Sequence, residues 1–238
     1  MHLILFDIDG TLMRGIGIGT GALKRAFAEG FGLETENHPA LANVFVAGST
    51  DPVILRHMAE ALEIPSDTFS ARRDTLEATY FRLLEEILAT HTSKAACAGI
   101  PEILPRLEAH ERIALGLLTG NFERSGRLKL EPFGLNRYFA HGGFGGDGPD
   151  RAAQALFAVE RAQAVTGARY SPENVMVIGD TVNDVAAGRA HGFLTVGVGT
   201  GWGKLEDIQA AGATAVFPSL EPEHGFERWL NARWNLGW

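Results

Sequence analysis

Short apolar runs, each ending on a small or acidic residue, recur along the chain at His2–Phe6, Arg112–Leu118, Tyr138–Gly143, Val175–Ile178 and Leu194–Val198. Ala213–Phe217 is a candidate sixth. Continuous apolarity over so few residues suits strands buried on both faces, as in a parallel sheet. Helix-like segments fill the gaps at Glu102–His110, Glu123–Glu131, Arg151–Thr166, Asp184–His191 and Lys204–Ala211. This alternation predicts a doubly wound, Rossmann-like α/β fold, in which ligands bind beyond the carboxyl ends of the strands.

One stretch breaks the rhythm. Between about Arg14 and Ser93 no buried-type strand is evident, and helical patterns occupy Gly21–Phe31, Asp51–Leu62 and Phe69–Ala89. The chain is therefore expected to form an α/β core from residues 1–14 and 94–238, interrupted by an inserted α-helical cap at 15–93. The turn Gly99-Ile100-Pro101 marks the return to the core. Near the C-terminus Trp229, Trp234 and Trp238 nearly share a helical face, which predicts docking on the core.

Composition narrows the function classes. A chain of 238 residues, 45% hydrophobic and 21% charged, has enough apolar material for a core without disulfide or metal staples. The formal charge of −8, with no basic stretch, argues against nucleic acid or an anionic membrane as partner. A single cysteine, Cys97, excludes an intrachain disulfide and a cysteine-cluster metal site. No stretch approaches the roughly 20 apolar residues that span a bilayer. The first residues are too acidic, and their apolar run too short, for a signal peptide. A cytoplasmic location is expected. Glycine is in surplus at 29 residues, which predicts tight turns and close backbone approach to a ligand.

The candidate chemistry lies at the strand ends. The first strand runs into Asp7-Ile8-Asp9-Gly10-Thr11, two carboxylates at i and i+2 whose repulsion calls for a cation, Mg²⁺ being the best match to oxygen ligands. A strand-end turn explains one such motif. The run before Gly179-Asp180-Thr181-Val182-Asn183-Asp184 delivers two more acids at a strand end, and a helix N-cap accounts for Asp180 alone but not for both clusters. A third strand end, Leu117-Leu118-Thr119-Gly120-Asn121, offers a hydroxyl and free amides at a helix start, a cradle for a phosphate-sized anion.

Together DIDGT at 7–11, LLTGN at 117–121 and GDTVND at 179–184 resemble, in order and spacing, motifs of the haloacid dehalogenase superfamily. The helical insertion is similar to that superfamily's helical cap, and Gly48-Ser49-Thr50-Asp51 resembles a cap loop of its phosphoglycolate phosphatase-like members. The resemblance implies a Mg²⁺-dependent phosphatase acting on a small phosphate monoester, with Asp7 as nucleophile and Asp9 as acid and base. It further implies Asp7, Asp9, Asp180 and Asp184 as metal ligands. Thr119 and Lys129 join the catalytic set, and Gly10, Gly120, Asn121 and Thr50 would bind phosphate or substrate. Many relatives carry a lysine before the fourth motif's helix, where this chain reads Gly148-Pro149-Asp150-Arg151. Lys129 on the helix after Asn121 is preferred over Arg151 as the phosphate-binding cation, because a mobile point charge reaches both nucleophile and phosphoryl oxygens.

Other readings fit less well. The G-x-G-x-x-G pattern at Gly143–Gly148 lacks the acid-ended partner strand of a dinucleotide site. The scattered histidines form no zinc motif, and no G-x-S-x-G elbow is present. A phosphomutase, a dehalogenase of the same fold or a non-catalytic phosphate-binding protein are the alternatives, and the pair Asp7 and Asp9 counts against the last two. A monomer or a homodimer is equally compatible.

Overall fold

The structure, a computed structural model, describes residues 1–42, 44 and 48–238. In chain order its main elements are β1 (His2–Phe6), β2 (Met13–Arg14), α1 (Ile18–Phe31), α2 (Asp51–Ala61), α3 (Ser66–Thr90), β3 (Ala95–Ala96), α4 (Ile100–Glu108), β4 (Ile113–Leu118) and α5 (Glu123–Leu130). They continue as β5 (Gly142–Gly143), α6 (Arg151–Thr166), β6 (Val175–Gly179), α7 (Val182–Arg189), β7 (Leu194–Val198), α8 (Leu205–Ala210), β8 (Ala215–Phe217) and α9 (Phe226–Trp234).

Six strands pair in parallel in the order β5-β4-β1-β6-β7-β8. Strands that are apolar throughout can be buried on both faces, and side-chain alternation assigns each residue to a face. Leu3 and Leu5 of β1 pack with Val175 and Val177 of β6 against Ala155, Ala158 and Ala162 of α6. Ile4 and Phe6, with Met176 and Ile178, enter the larger core on the other face, which includes Ile103 and Leu107 of α4 and Leu230 of α9. The tip of β1 therefore lies between the tips of β4 and β6, where all three motifs meet.

One expectation needs correction. The run Tyr138–Gly143 is not a full strand: Leu135–Tyr138 forms a 3₁₀ turn after Gly134, and only Gly142–Gly143 pairs with Leu117–Leu118 at the sheet edge. Where the chain leaves the core for the insertion and returns, Met13–Arg14 and Ala95–Ala96 pair antiparallel. Two-residue ladders depend on tertiary proximity and leave no period in the sequence. The helices α1, α2 and α3 lie between these two short strands. At the other end α9 docks as predicted: Trp234 is buried and stacks on His2 at 4.2 Å between ring centroids. No helix among the described residues is long and apolar enough to cross a membrane.

Candidate active site

Residues 8–13 double back directly after β1. The amides of Leu12 and Met13 donate to the Ile8 carbonyl at 2.9 and 3.0 Å, and Gly10 donates to the Met13 carbonyl at 2.8 Å. Gly10 has φ +84°, and a Cβ there would lie 2.5 Å from Asp180 Oδ2, so this turn and the acid of β6 can approach only across glycine. The Thr200 hydroxyl donates to the Gly10 carbonyl at 2.6 Å and holds the turn from the far side.

This arrangement separates the two aspartates of the first motif. Asp7 is buried, its amide donating to the Ile178 carbonyl at 2.9 Å. It belongs to a cluster with Asp180 and Asp184 in which one carboxylate oxygen from each lies within 4.8 Å of the others. One guanidinium nitrogen of Arg151 sits 2.6 Å from Asp7 Oδ1 and 2.7 Å from Asp184 Oδ1. Asp9, by contrast, is partly exposed and directed away: its Oδ2 accepts from Lys129 Nζ at 2.6 Å and from Asn121 Nδ2 at 2.7 Å. Lys129 also donates to Asn121 Oδ1 at 2.6 Å, and the side-chain Nδ2 of Asn121 donates to Thr119 Oγ1 at 2.7 Å. The two cations weighed in the sequence thus divide the carboxylates, Lys129 meeting Asp9 and Arg151 meeting Asp7.

Electrostatics follow from burial. Desolvation raises the Asp7 carboxyl well above the ordinary carboxylate range; Arg151 opposes this, while Asp184 and Asp180 reinforce it. Burial, with the charge of Asp184 adding, pushes Asp180 up to about 7. Burial works against the charge of Lys129, yet Asp9 and Asp51 outweigh it and hold the ammonium above its usual value. The same balance holds for Arg151, where burial is outweighed by Asp184 and Asp7.

The acidic cluster fits a hard divalent cation. Three buried carboxylates face one guanidinium, an excess of negative charge that a low-dielectric site does not tolerate alone. Two oxygens of the cluster are buried without a hydrogen-bond partner: Asp184 Oδ1, which has only its ion-pair contact with Arg151, and Asp180 Oδ1, whose sister Oδ2 accepts from the Trp202 amide at 2.8 Å. All-oxygen donors of this kind suit Mg²⁺. Asp184 is fixed as a donor by accepting from the Thr181 amide and hydroxyl at 3.0 and 2.6 Å, the capping box that starts α7.

The helical insertion closes over these groups. A Cβ on Gly120 would lie 2.4 Å from the Ser49 carbonyl, so backbone from the insertion rests directly on the β4 tip. The Asp51 amide donates to the Gly120 carbonyl at 2.7 Å. Its carboxylate accepts from the Phe122 amide at 3.0 Å and the Ser125 hydroxyl at 2.7 Å. Phe122 begins α5 and has no side-chain oxygen to cap it, so an aspartate from the insertion supplies the cap. Asp51→Ala leaves the Phe122 amide buried and unpaired and the Ser125 hydroxyl with only the Phe122 carbonyl at 3.1 Å. We expect a loss of about 1–3 kcal/mol in unfolding free energy and a raised KM in steady-state kinetics, both restored in large part by Asp51→Asn.

A cavity of about 400 Å³ lies between insertion and sheet. It is lined by Asp7, Asp9, Thr119, Gly120, Asn121, Lys129 and Asp180 from the predicted set. Asp184 stands behind it in the acidic cluster, and Gly10 packs against Asp180. Thr50 lines a separate cavity with Arg56 and Pro149, while its neighbours Gly48, Ser49 and Asp51 line the first. The sequence reading missed Asp51, Tyr80 and Trp202 as lining residues. Asp51 sits in the cap-loop motif already singled out there. Trp202, in Gly201-Trp202-Gly203, offered only an isolated aromatic between glycines.

Buried carboxylates at adjacent tips of a parallel sheet, with a helical insertion folded over them, define an α/β enzyme with a carboxylate centre where the strand order diverges. The sequence pattern of haloacid dehalogenase-like hydrolases matches residues 1–192, and the chain belongs to that family. It is 25% identical over 220 residues to a phosphoglycolate phosphatase of Synechococcus elongatus, covering 89% of this chain and 90% of the relative. Among solved structures it is similar to a predicted phosphoglycolate phosphatase from Haemophilus somnus, with TM-score 0.71 and 18% identity over 97% of this chain and 98% of that one. It is also similar to CbbY from Rhodobacter sphaeroides in complex with phosphate, with TM-score 0.69 and 18% identity over 92% and 95%. At that identity the structural likenesses speak for the fold alone.

Proposed function

We propose that this hydrolase is a Mg²⁺-dependent phosphatase that cleaves a small phosphate monoester through an aspartyl phosphate on Asp7. The observation that carries this reading is the separation of Asp7 and Asp9, two carboxylates two residues apart with different partners. Asp7 stands in the acidic cluster beside Arg151, and Asp9 stands outside it beside Lys129 and Asn121. Divergent environments of this kind allow one carboxylate to act as nucleophile and the other as acid and base. The phosphatase names of the relatives support the same reading.

Asp7, Asp180 and Asp184 would hold the metal through their carboxylates, and Asp9 through its backbone carbonyl. When bound, Mg²⁺ supplies the positive charge that offsets repulsion between an anionic nucleophile and an anionic ester. An oxygen of Asp7 attacks phosphorus, the bond from phosphorus to the leaving oxygen breaks, and Asp9 delivers to that oxygen the proton it took from water in the preceding turnover. Asp9 then takes a proton from water, which attacks the aspartyl phosphate and frees inorganic phosphate and Asp7. Phosphoryl oxygens compete with Asp9 for the Lys129 ammonium as substrate enters, which releases Asp9 Oδ2 for the leaving group. Arg151, Thr119 and the amides around Gly120 stabilise the remaining oxygens. Residues 15–93 act as a cap that excludes water when seated on the β4 tip.

The test is hydrolysis of p-nitrophenyl phosphate and a set of alkyl phosphates with Mg²⁺ and with chelator. Turnover that requires Mg²⁺ is expected. Folded protein that cleaves no ester with Mg²⁺, Mn²⁺ or Co²⁺ present overturns the proposal.

A further inference from the structure

The glycine pattern at Gly143–Gly148, which lacks the partner strand of a dinucleotide site, runs along the outer edge of the active site. β5 is an edge strand of two glycines and has no side chains to pack. It and the turn after it nonetheless hold the segment that follows β4. The Leu117 amide donates to the His141 carbonyl at 3.1 Å and the Thr119 amide to the Gly143 carbonyl at 3.0 Å. The Gly145 amide returns a bond to the Asn121 carbonyl at 2.7 Å. A Cβ on Gly145 would lie 2.2 Å from the Gly120 carbonyl oxygen and 3.2 Å from Pro52 of the insertion. Only glycine lets the turn come so close to the β4 tip.

A strand without side chains gains little from apolar burial, and here an arginine holds it in place. Arg161 of α6 donates to the Gly142 carbonyl at 2.7 Å, at one end of the segment. At the other end its two terminal nitrogens meet both oxygens of Asp147, at 2.5 and 2.7 Å. Asp147 Oδ2 also accepts from the Phe144 amide at 2.8 Å, and the Asp147 amide donates to the Phe144 carbonyl at 3.0 Å. A bidentate fork of this kind fixes geometry as well as charge. The Arg161 side chain is 41% exposed, so the pair adds little to global stability. Its constraint falls on Asn121, whose backbone the turn holds. The Asn121 side chain in turn donates to Asp9 Oδ2 at 2.7 Å and accepts from Lys129 at 2.6 Å.

We infer that Asp147 and Arg161 are positioning residues for the proton donor. Through the bond from Gly145 to Asn121 they set where Asn121 holds Asp9, and so the line along which Asp9 delivers its proton to the leaving oxygen. Neither is among the described residues that line the cavity, so both act through the turn and not on the substrate. This inference rests on the phosphatase reading and deepens it at Asp9.

The test compares leaving groups, because p-nitrophenolate departs with little protonation whereas an alkoxide needs an acid. The Mg²⁺-loaded protein is assayed with p-nitrophenyl phosphate and with the best accepted of ethyl phosphate, glycerol 1-phosphate and phosphoglycolate. In Asp147→Ala, kcat/KM should fall about thirtyfold for the alkyl ester and no more than about threefold for p-nitrophenyl phosphate. Arg161→Gln should give the same pattern and serves where Asp147→Ala folds poorly. The double variant should be no worse than either single one. Asp147→Asn, which keeps an acceptor for the Phe144 amide, should recover most of the alkyl-ester activity. Equal losses on the two kinds of ester, as lost folded protein would give, or no loss at all, overturn the inference and leave the phosphatase reading intact. Folded wild type that cleaves neither kind of ester overturns the phosphatase reading itself.

Discussion

Asp7→Asn lowers turnover of any accepted ester by about 10⁴-fold or more while the protein remains folded. The amide cannot form the bond to phosphorus, and no other carboxylate lies where it could substitute. Asp180 and Asp184 are fixed as acceptors by the Trp202 amide and by Thr181, and Asp9 is directed at Lys129. The same variant has a second, opposite signature in stability. A carboxyl raised by burial keeps in the folded state a proton that the unfolded chain releases near the ordinary value of 3.8. The stability that these two groups contribute is thus present below that range and is lost as pH climbs through their raised values, about 7 for Asp180. Asp7→Asn removes one of the three clustered charges, so its thermal midpoint without metal should fall less between pH 5 and pH 8 than that of the wild type. Mg²⁺ should raise the wild-type midpoint more at pH 8 than at pH 5, and the variant's by less at both. Thermal unfolding at the two pH values, with and without Mg²⁺, reads all of this. A variant that still turns over esters would remove Asp7 from the nucleophile's place.

Legibility in the sequence tracked the range of the interactions involved. The strands β1, β4, β6 and β7 follow from apolar runs because burial on both faces is a property of each segment alone. That their tips converge follows from the parallel order, in which β1 pairs with β4 on one side and β6 on the other. What was not legible depends on partners far apart in the chain. Asp51 caps a helix that begins 71 residues later, and nothing near Asp51 or Phe122 announces the pairing. The shortening of β5 comes from a 3₁₀ turn that competes for Tyr138. The choice between Lys129 and Arg151 was of the same kind: both are cations near a strand tip in sequence, and only the placement of α5 and α6 across the sheet decides which carboxylate each reaches. Trp202 escaped notice because an aromatic residue in a glycine loop has no periodicity, and its meaning comes from the cavity it borders.

Arg151 is where folding and chemistry are most tightly joined, and its removal should be the most damaging substitution to stability. One of its terminal nitrogens serves both Asp7 and Asp184, and the second terminal nitrogen donates to the Gly48 carbonyl of the cap loop at 3.1 Å. Arg151→Ala leaves a buried three-carboxylate cluster with no cation, a change that costs about 3–5 kcal/mol when a buried pair loses one partner. Set against the roughly 5–15 kcal/mol by which domains are stable, this should depopulate the metal-free fold at elevated temperature. Mg²⁺ should recover part of the loss by supplying charge to the same carboxylates. Arg151→Lys separates the two jobs. An ammonium can reach the carboxylates but cannot also present a second, rigidly spaced donor to Gly48. That variant should keep most of the stability, lose about tenfold in kcat/KM, and show the loss largely as a raised KM because cap closure is weakened. Chemical denaturation with and without Mg²⁺, set beside steady-state kinetics of both variants, separates the outcomes. Equal stability of Arg151→Ala and wild type without metal would show that the guanidinium does not neutralise the cluster.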